Sequence, residues 1–279
     1  MANRIICFLL ALSLLFGMTA CGKKVPEPET TVPTTEATQP PTTEATEPPT
    51  TEAPTEPPTE APTEAPTEAP TEPPLVLHSG LREDGSFNNG TLFIGDSLTF
   101  QMIYGLLQPK GYIGDARYIA IAGSQITAFF DGTHVTCNAV NTLASAEFDG
   151  MLFSEAAGSM GEEATAIYIM WGTNYTKDAT AQDYIDILDY LLEHCPNATI
   201  HLQFVPYARA AAPYQIINER IQGAYDHYQE IGEERVILLD TFTGIGDRLA
   251  ADGVHLADSG KQKWYETILA HAEELELPE

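Results

Sequence analysis

The sequence predicts an α/β domain, a three-layer doubly wound sandwich with a five-stranded parallel sheet between helices. Three observations predict it. Five short apolar runs are continuous rather than alternating, the pattern of strands buried on both faces. Amphipathic helical patterns lie between most of them, and strand–helix alternation argues a parallel sheet. Residues 75–279 give 205 positions, enough for one large domain with a full core.

The strands are expected at 91–94, 117–122, 166–171, 199–205 and 235–240. A helix over 181–193 carries Tyr184, Ile187, Leu188, Leu191 and Leu192 at helical spacing. A second, over 214–232, carries Ile217, Ile221, Ala224 and Tyr228. A third, over 258–275, carries Trp264, Ile268, Leu269 and Ala272 after a start of the capping type. The stretch 127–163 is less regular. A helix is expected near 138–146, with a long loop rich in Gly and Ser, and such loops are often functional.

Ahead of the domain the composition changes twice. Arg4 precedes an apolar run, 5–16, broken only by Ser13, and small residues then lead to Cys21. This reads as a secretory signal over 1–20, too short for a comfortable membrane span. Met18-Thr19-Ala20-Cys21 resembles a bacterial lipobox, which implies lipidation of Cys21 at the mature N-terminus; two acyl chains anchor a protein firmly. Residues 25–74 hold 15 Pro, 15 Thr and 11 Glu, with no Leu, Ile, Phe, Tyr or Trp. Such a chain buries too little apolar surface to offset its ordering entropy. The expectation is a disordered linker over 21–74 that carries the domain away from the outer face of a bacterial cytoplasmic membrane.

Charge and cysteine narrow the function. The domain has 29 acidic and 10 basic residues, a net charge of -19. Phosphate binding needs clustered Lys and Arg, so nucleic-acid partners are excluded, as is direct adsorption to anionic lipid. Membrane contact is left to the lipid anchor alone. Cys137 and Cys195 are the domain's cysteines; they could pair outside the cell, but two do not make a disulfide framework. Neither has a close Cys or His neighbour in sequence, so no metal site is expected.

Ligands of open α/β sheets bind at the carboxyl ends of the strands. Gly95-Asp96-Ser97-Leu98 follows the first strand, Gly123-Ser124 the second and Gly172-Thr173-Asn174 the third. Asp252-Gly253-Val254-His255 comes after the fifth, past a short segment. Singly, each block reads as a turn, a cap or a satisfied loop residue. Jointly they bring Ser, Gly, Asn and an Asp/His pair to one edge.

In this order the four blocks resemble those of the GDSL (SGNH) hydrolases, over essentially all of 90–272. The resemblance implies a flavodoxin-like fold with a five-stranded parallel sheet, hydrolysis of esters, no metal or cofactor, and a protein that works as a single-domain monomer. It implies a triad of Ser97, Asp252 and His255. It also implies an oxyanion hole from the Ser97 and Gly123 N–H groups and the Asn174 side chain. Tyr175 stands where many members have Asp, so the pocket beside Asn174 departs from the pattern.

The residues suit that chemistry in themselves. A serine hydroxyl needs a base, and an imidazole with a reference pKa of about 6.5 is a fitting one. A carboxylate three residues before it can fix its tautomer and stabilise the imidazolium. Gly123 lets a backbone N–H approach closely, and Asn174 can donate to the developing oxyanion. Tyr175 and Tyr207 follow strand ends and are the candidate substrate-pocket residues. Tyr104, Tyr112 and Trp171 read as core or rim aromatics. His78, His134, His194, His201, His227 and His271 read as surface or loop residues. The expected activity is a serine esterase acting on short acyl groups, such as acetyl on a polysaccharide or cell-wall glycan. A non-catalytic glycan-binding module and an O-acyltransferase with the same triad stay open.

Overall fold

The structure, a computed structural model, describes residues 75–137, 139–174, 179–207, 212–246 and 248–275. The expected signal, Cys21, the linker and Tyr175 lie outside the described residues. Among the described residues six strands form one sheet: β1 (Thr91–Gly95), β2 (Arg117–Ile121), β3 (Thr142–Ala144), β4 (Ala166–Met170), β5 (Thr199–Gln203) and β6 (Val236–Leu239). Their order is β3-β2-β1-β4-β5-β6, and all neighbours are parallel except β2 and β3. Every residue of β1, β4 and β5 is buried, which is why these runs are continuously apolar.

The sixth strand corrects the expected count, and it stands where a helix was expected over 138–146. β3 runs antiparallel along β2, pairing Ile119 with Ala144 and Ile121 with Thr142. Val140, Asn141 and Thr142 are poor helix formers, and Val140 is almost fully exposed, so no apolar helical face exists to bury. The edge of β2 offers open backbone groups instead, and the Tyr118 N–H also donates to Ser145 Oγ at 3.1 Å.

Two helical layers enclose the sheet. On one side lies α7 (Asp258–Leu275), whose Trp264 packs on Phe93 of β1 and donates from Nε1 to Gln203 Oε1 at 2.7 Å. Beside it runs α1 (Ser97–Met102), continued by a π-helical turn (Ile103–Leu107) into α2 (Gln108–Lys110). Pro109 explains the wide turn. It has no N–H for the Gly105 carbonyl, and the Gln108 N–H bonds back five residues to Ile103. The other layer holds α3 (Phe153–Gly158), α4 (Ala181–His194) and α5 (Ala212–Ile231), with Phe153 stacked on Trp171 at 4.8 Å. The short α6 (Thr241–Ile245) follows β6 and is capped by Asp240, which accepts from the Phe242 and Thr243 N–H groups.

The leading segment of the domain is held by the sheet. The His78 N–H donates to Thr199 Oγ1 (2.8 Å), and the His78 carbonyl accepts from His201 Nε2 (2.8 Å). Tyr168 Oη donates to the Ser79 carbonyl (2.7 Å) and Thr91 Oγ1 to the Gly80 carbonyl (3.1 Å). His201 is therefore not a surface residue. It is fully buried on β5 and stacked on Tyr168 at 4.3 Å, and burial pushes its pKa down to about 3. A polar residue in an apolar strand looks exposed in sequence; here the His78 carbonyl takes its Nε2 N–H, while Nδ1 is buried without a partner. Cys137 and Cys195 are both free thiols. Among the described residues no helix is long and apolar enough to cross a membrane.

Candidate active site

The chain turns back at β1: β2 lies on one side of it and β4 on the other. A crevice opens at such a switch point, outside the carboxyl ends of the strands. Ser97 follows β1 and is the first residue of α1, whose first N–H groups have no intrahelical acceptor. Gly123 follows β2 with φ +84°, which only glycine adopts readily, and no atom lies within 4 Å of where a Cβ would stand. Asn174 follows β4.

Asp252 and His255 arrive on a narrow hairpin between α6 and α7. Leu249 bridges Leu256, the Ala250 N–H donates to the His255 carbonyl (2.7 Å), and Gly253 turns the chain at φ +74°. The base of this hairpin rests on α7. The Ala257 N–H donates to the Arg248 carbonyl at 3.1 Å, and a Cβ on Gly260 would stand 2.2 Å from that oxygen.

The hairpin brings three side chains into line. His255 Nε2 is 2.9 Å from Ser97 Oγ, and His255 Nδ1 is 2.6 Å from Asp252 Oδ2. The other Asp252 oxygen accepts from the Val254 and His255 N–H groups, each at 3.0 Å. The bond with the His255 ring and these two N–H donors hold the Asp252 carboxyl down to about 2. An ionised carboxylate cannot donate, so Nδ1 carries the proton and Nε2 is left to accept from Ser97.

Asp96 ties two of the blocks together. It is fully buried. Oδ1 accepts from the Leu98 N–H at 3.0 Å, capping α1. Oδ2 accepts from the Gly172 N–H (3.1 Å), the Thr173 N–H (2.8 Å) and Thr173 Oγ1 (2.6 Å). Burial pushes its pKa up and these four donors pull against it, with a net rise. One carboxyl thus fixes both the turn of Ser97 and the approach to Asn174. The sequence shows Asp96 only as a cap; its three other partners are 76 and 77 residues away in the chain and leave no local signal. Gly172 is similarly constrained, at φ +137°, where a Cβ would meet Tyr184 Oη at 2.6 Å and Ile217 Cγ2 at 2.7 Å.

Asn174 Nδ2 is buried and has no hydrogen-bond partner. An orphan buried donor costs about 1–3 kcal/mol and calls for a reason. Beside it is a recess of about 10 Å³, walled in part by Ile126, Ala179 and Ile217. Tyr207, the other expected pocket residue, is elsewhere. It stacks on Phe242 at 4.6 Å and lines a cleft of about 380 Å³ between α5 and α6 that includes no residue of the Ser97–His255–Asp252 line. Among the described residues no three His, Cys, Asp or Glu gather closely enough to hold a metal ion.

No family model matches the chain, and no curated protein matches it. Solved structures do resemble it. A carbohydrate esterase family 3 protein from Talaromyces cellulolyticus is 16% identical, with a TM-score of 0.44 over 66% of this chain and 96% of that one. A family 3 carbohydrate esterase from Clostridium thermocellum is 15% identical, with a TM-score of 0.44 over 66% and 96%. A GDSL-like lipase from Bacteroides thetaiotaomicron is 13% identical, with a TM-score of 0.42 over 66% and 87%. The fold and site described here rest on the strand order and distances of this chain.

Proposed function

We propose that the protein is a serine esterase of the GDSL (SGNH) type, exported and tethered through Cys21, that removes short acyl groups from an extracellular polysaccharide or cell-wall glycan. The observation that carries the reading is the unbroken line Asp252–His255–Ser97, with contacts of 2.6 and 2.9 Å. Such a line has one evident use, to take a proton from a serine hydroxyl and return it to a leaving group.

The proposed reaction has two halves. Ser97 Oγ attacks the ester carbonyl carbon while its proton passes to His255 Nε2. Asp252 stabilises the imidazolium and stays ionised. The carbonyl oxygen gains charge and is met by donors fixed beforehand: the Ser97 and Gly123 N–H groups and the unpartnered Asn174 amide. The C–O bond to the alcohol breaks, and the alkoxide takes the proton from Nε2. Water then enters, loses a proton to His255 and attacks the acyl carbon, and Ser97 leaves with that proton.

The test is p-nitrophenyl acetate hydrolysis by the wild type, Ser97→Ala, His255→Ala and Asp252→Asn. Turnover that collapses in Ser97→Ala and His255→Ala supports the reading. Activity that survives Ser97→Ala refutes the assigned nucleophile. Absent turnover, together with no labelling by a serine-reactive fluorophosphonate, refutes the esterase.

A further inference from the structure

Tyr104 is a large aromatic residue with 66% of its surface exposed. It stands seven positions after Ser97 on the same helical run. The run is α-helical over Ser97–Met102 and π-helical over Ile103–Leu107, so Tyr104 falls nearer the line of Phe100 than that of Ser97, roughly 10 Å from Ser97 along the axis. Phe100 lies between them on this face, half-buried against the core, with its ring 6.0 Å from that of Tyr104. Helical side chains lean toward the N-terminus, so the Tyr104 ring is inclined back toward Phe100 and the Ser97 turn. The π-turn shapes the flank. It brings Gly105 under the stem of Lys261, where a Cβ would sit 3.4 Å from Cδ. Lys261 is itself held by Asp258 at 2.7 Å, in the first turn after the His255 hairpin. The result is an exposed aromatic face beside Phe100, on the helical run that begins at Ser97.

The exposed ring face is open to a ligand that brings an apolar surface of its own. The ligand that fits is a pyranose ring. Its axial C–H groups form an apolar face for the ring of Tyr104, and its hydroxyls remain in water. We propose that Tyr104, backed by Phe100, is a stacking platform for a sugar unit of the acylated glycan other than the one that bears the scissile ester. This deepens the reading of the site as a glycan esterase and rests on it. The roughly 10 Å offset implies a substrate longer than a monosaccharide.

The test uses the full chain and O-acetylated β-1,4-linked tetrasaccharides of glucose, xylose and N-acetylglucosamine, each beside its acetylated monosaccharide. The readout is the ratio of kcat/KM on tetrasaccharide to that on monosaccharide. Tyr104→Ala is expected to lower this ratio about tenfold, mostly through KM, the scale of one lost stacking contact. Tyr104→Phe, which keeps the ring face, is expected to hold it within about twofold. A ratio unmoved by Tyr104→Ala overturns the platform, as does a loss equal on both substrates, which marks a structural role. Titration calorimetry of the unacylated tetrasaccharides against Ser97→Ala, with and without Tyr104→Ala, separates the platform from the chemistry. Binding that needs Tyr104, in a protein that turns over no acetylated sugar, keeps the platform and sinks the esterase reading. Turnover of p-nitrophenyl acetate with no tetrasaccharide bound or cleaved sinks the platform and the glycan substrate, and keeps the esterase.

Discussion

Gly260→Ala sets two effects against each other. Gly260 is the third residue of α7, and alanine is worth up to about 1 kcal/mol over glycine through helix propensity alone. Propensity therefore predicts a more stable protein. The added Cβ, however, would stand 2.2 Å from the Arg248 carbonyl oxygen, more than 1 Å inside the 3.4 Å at which ordinary contact begins. The obstacle is backbone, and that same oxygen accepts the Ala257 N–H at the base of the His255 hairpin. Overpacking of this kind costs about 1–3 kcal/mol, and a clash with an anchored carbonyl belongs at the upper end. The net expectation is a loss of about 2 kcal/mol, a fall in Tm of roughly 4–8 °C for a domain of this size. The catalytic effect is expected to be larger. Relief of the overlap shifts the hairpin by about 1 Å, and such a misplacement costs about 10²-fold in rate. Calorimetry and p-nitrophenyl acetate kinetics read both numbers. Gly223→Ala in α5 is the control, since its Cβ meets only Ala181 Cβ at 3.4 Å, and its Tm is expected to hold or rise. A Gly260→Ala protein with higher Tm and wild-type kcat would refute the argument that this contact positions His255.

Other perturbations give distinct signatures. Asn174→Ala is expected to lower kcat on p-nitrophenyl acetate by about 10²–10³ while thermal unfolding shows equal or greater stability, because the amide lost was an unpartnered buried donor. Asp96→Asn turns an NH₂ toward at least one backbone N–H, so Tm is expected to fall by roughly 2–8 °C and kcat with it; an unchanged pair of values would show that the brace is dispensable. The His201 pKa is depressed to about 3, so the unfolded chain binds more protons between that value and 6.5; stability is expected to fall as pH drops through this window, and His201→Gln to flatten the slope in urea titrations. The Asp252 pKa is depressed to about 2, so its contribution is present above 3.8 and lost as pH falls toward 2; Asp252→Asn is expected to show a smaller decline over that interval, measured by Tm against pH.

What the sequence made legible was what local pattern encodes. Continuous apolar runs mark β1, β4 and β5 because all their residues are buried, and the 3.6-residue stripe placed α7 at its observed bounds. Ser97, Asp252 and His255 could be singled out because their blocks, in that order, resemble those of the GDSL (SGNH) hydrolases; the Asp252–His255 hairpin lies well past the end of β6 and has no strand-end signal of its own. What stayed hidden depends on contacts between distant segments. β3 forms because β2 has an open edge, not because Thr142-Leu143-Ala144 insists on being a strand. His201 reads as polar and exposed until the His78 carbonyl is placed against it. The role of Asp96 beyond capping requires Gly172 and Thr173 to be brought alongside. Tyr104 was legible as an aromatic but not as an uncovered one, since exposure depends on which neighbours fail to reach it.

The stitching of residues 78–80 has a mechanical meaning. Its acceptors and donors, Thr199, His201, Tyr168 and Thr91, belong to β5, β4 and β1, and two of them begin their strands. Tension entering the domain through its leading segment meets the His78 bonds to β5 first, and then those of Ser79 and Gly80. The Ser97 turn begins at the opposite end of β1, about 16 Å away along five residues of strand. A protein pulled from this end strains at its footing while the working edge keeps its shape.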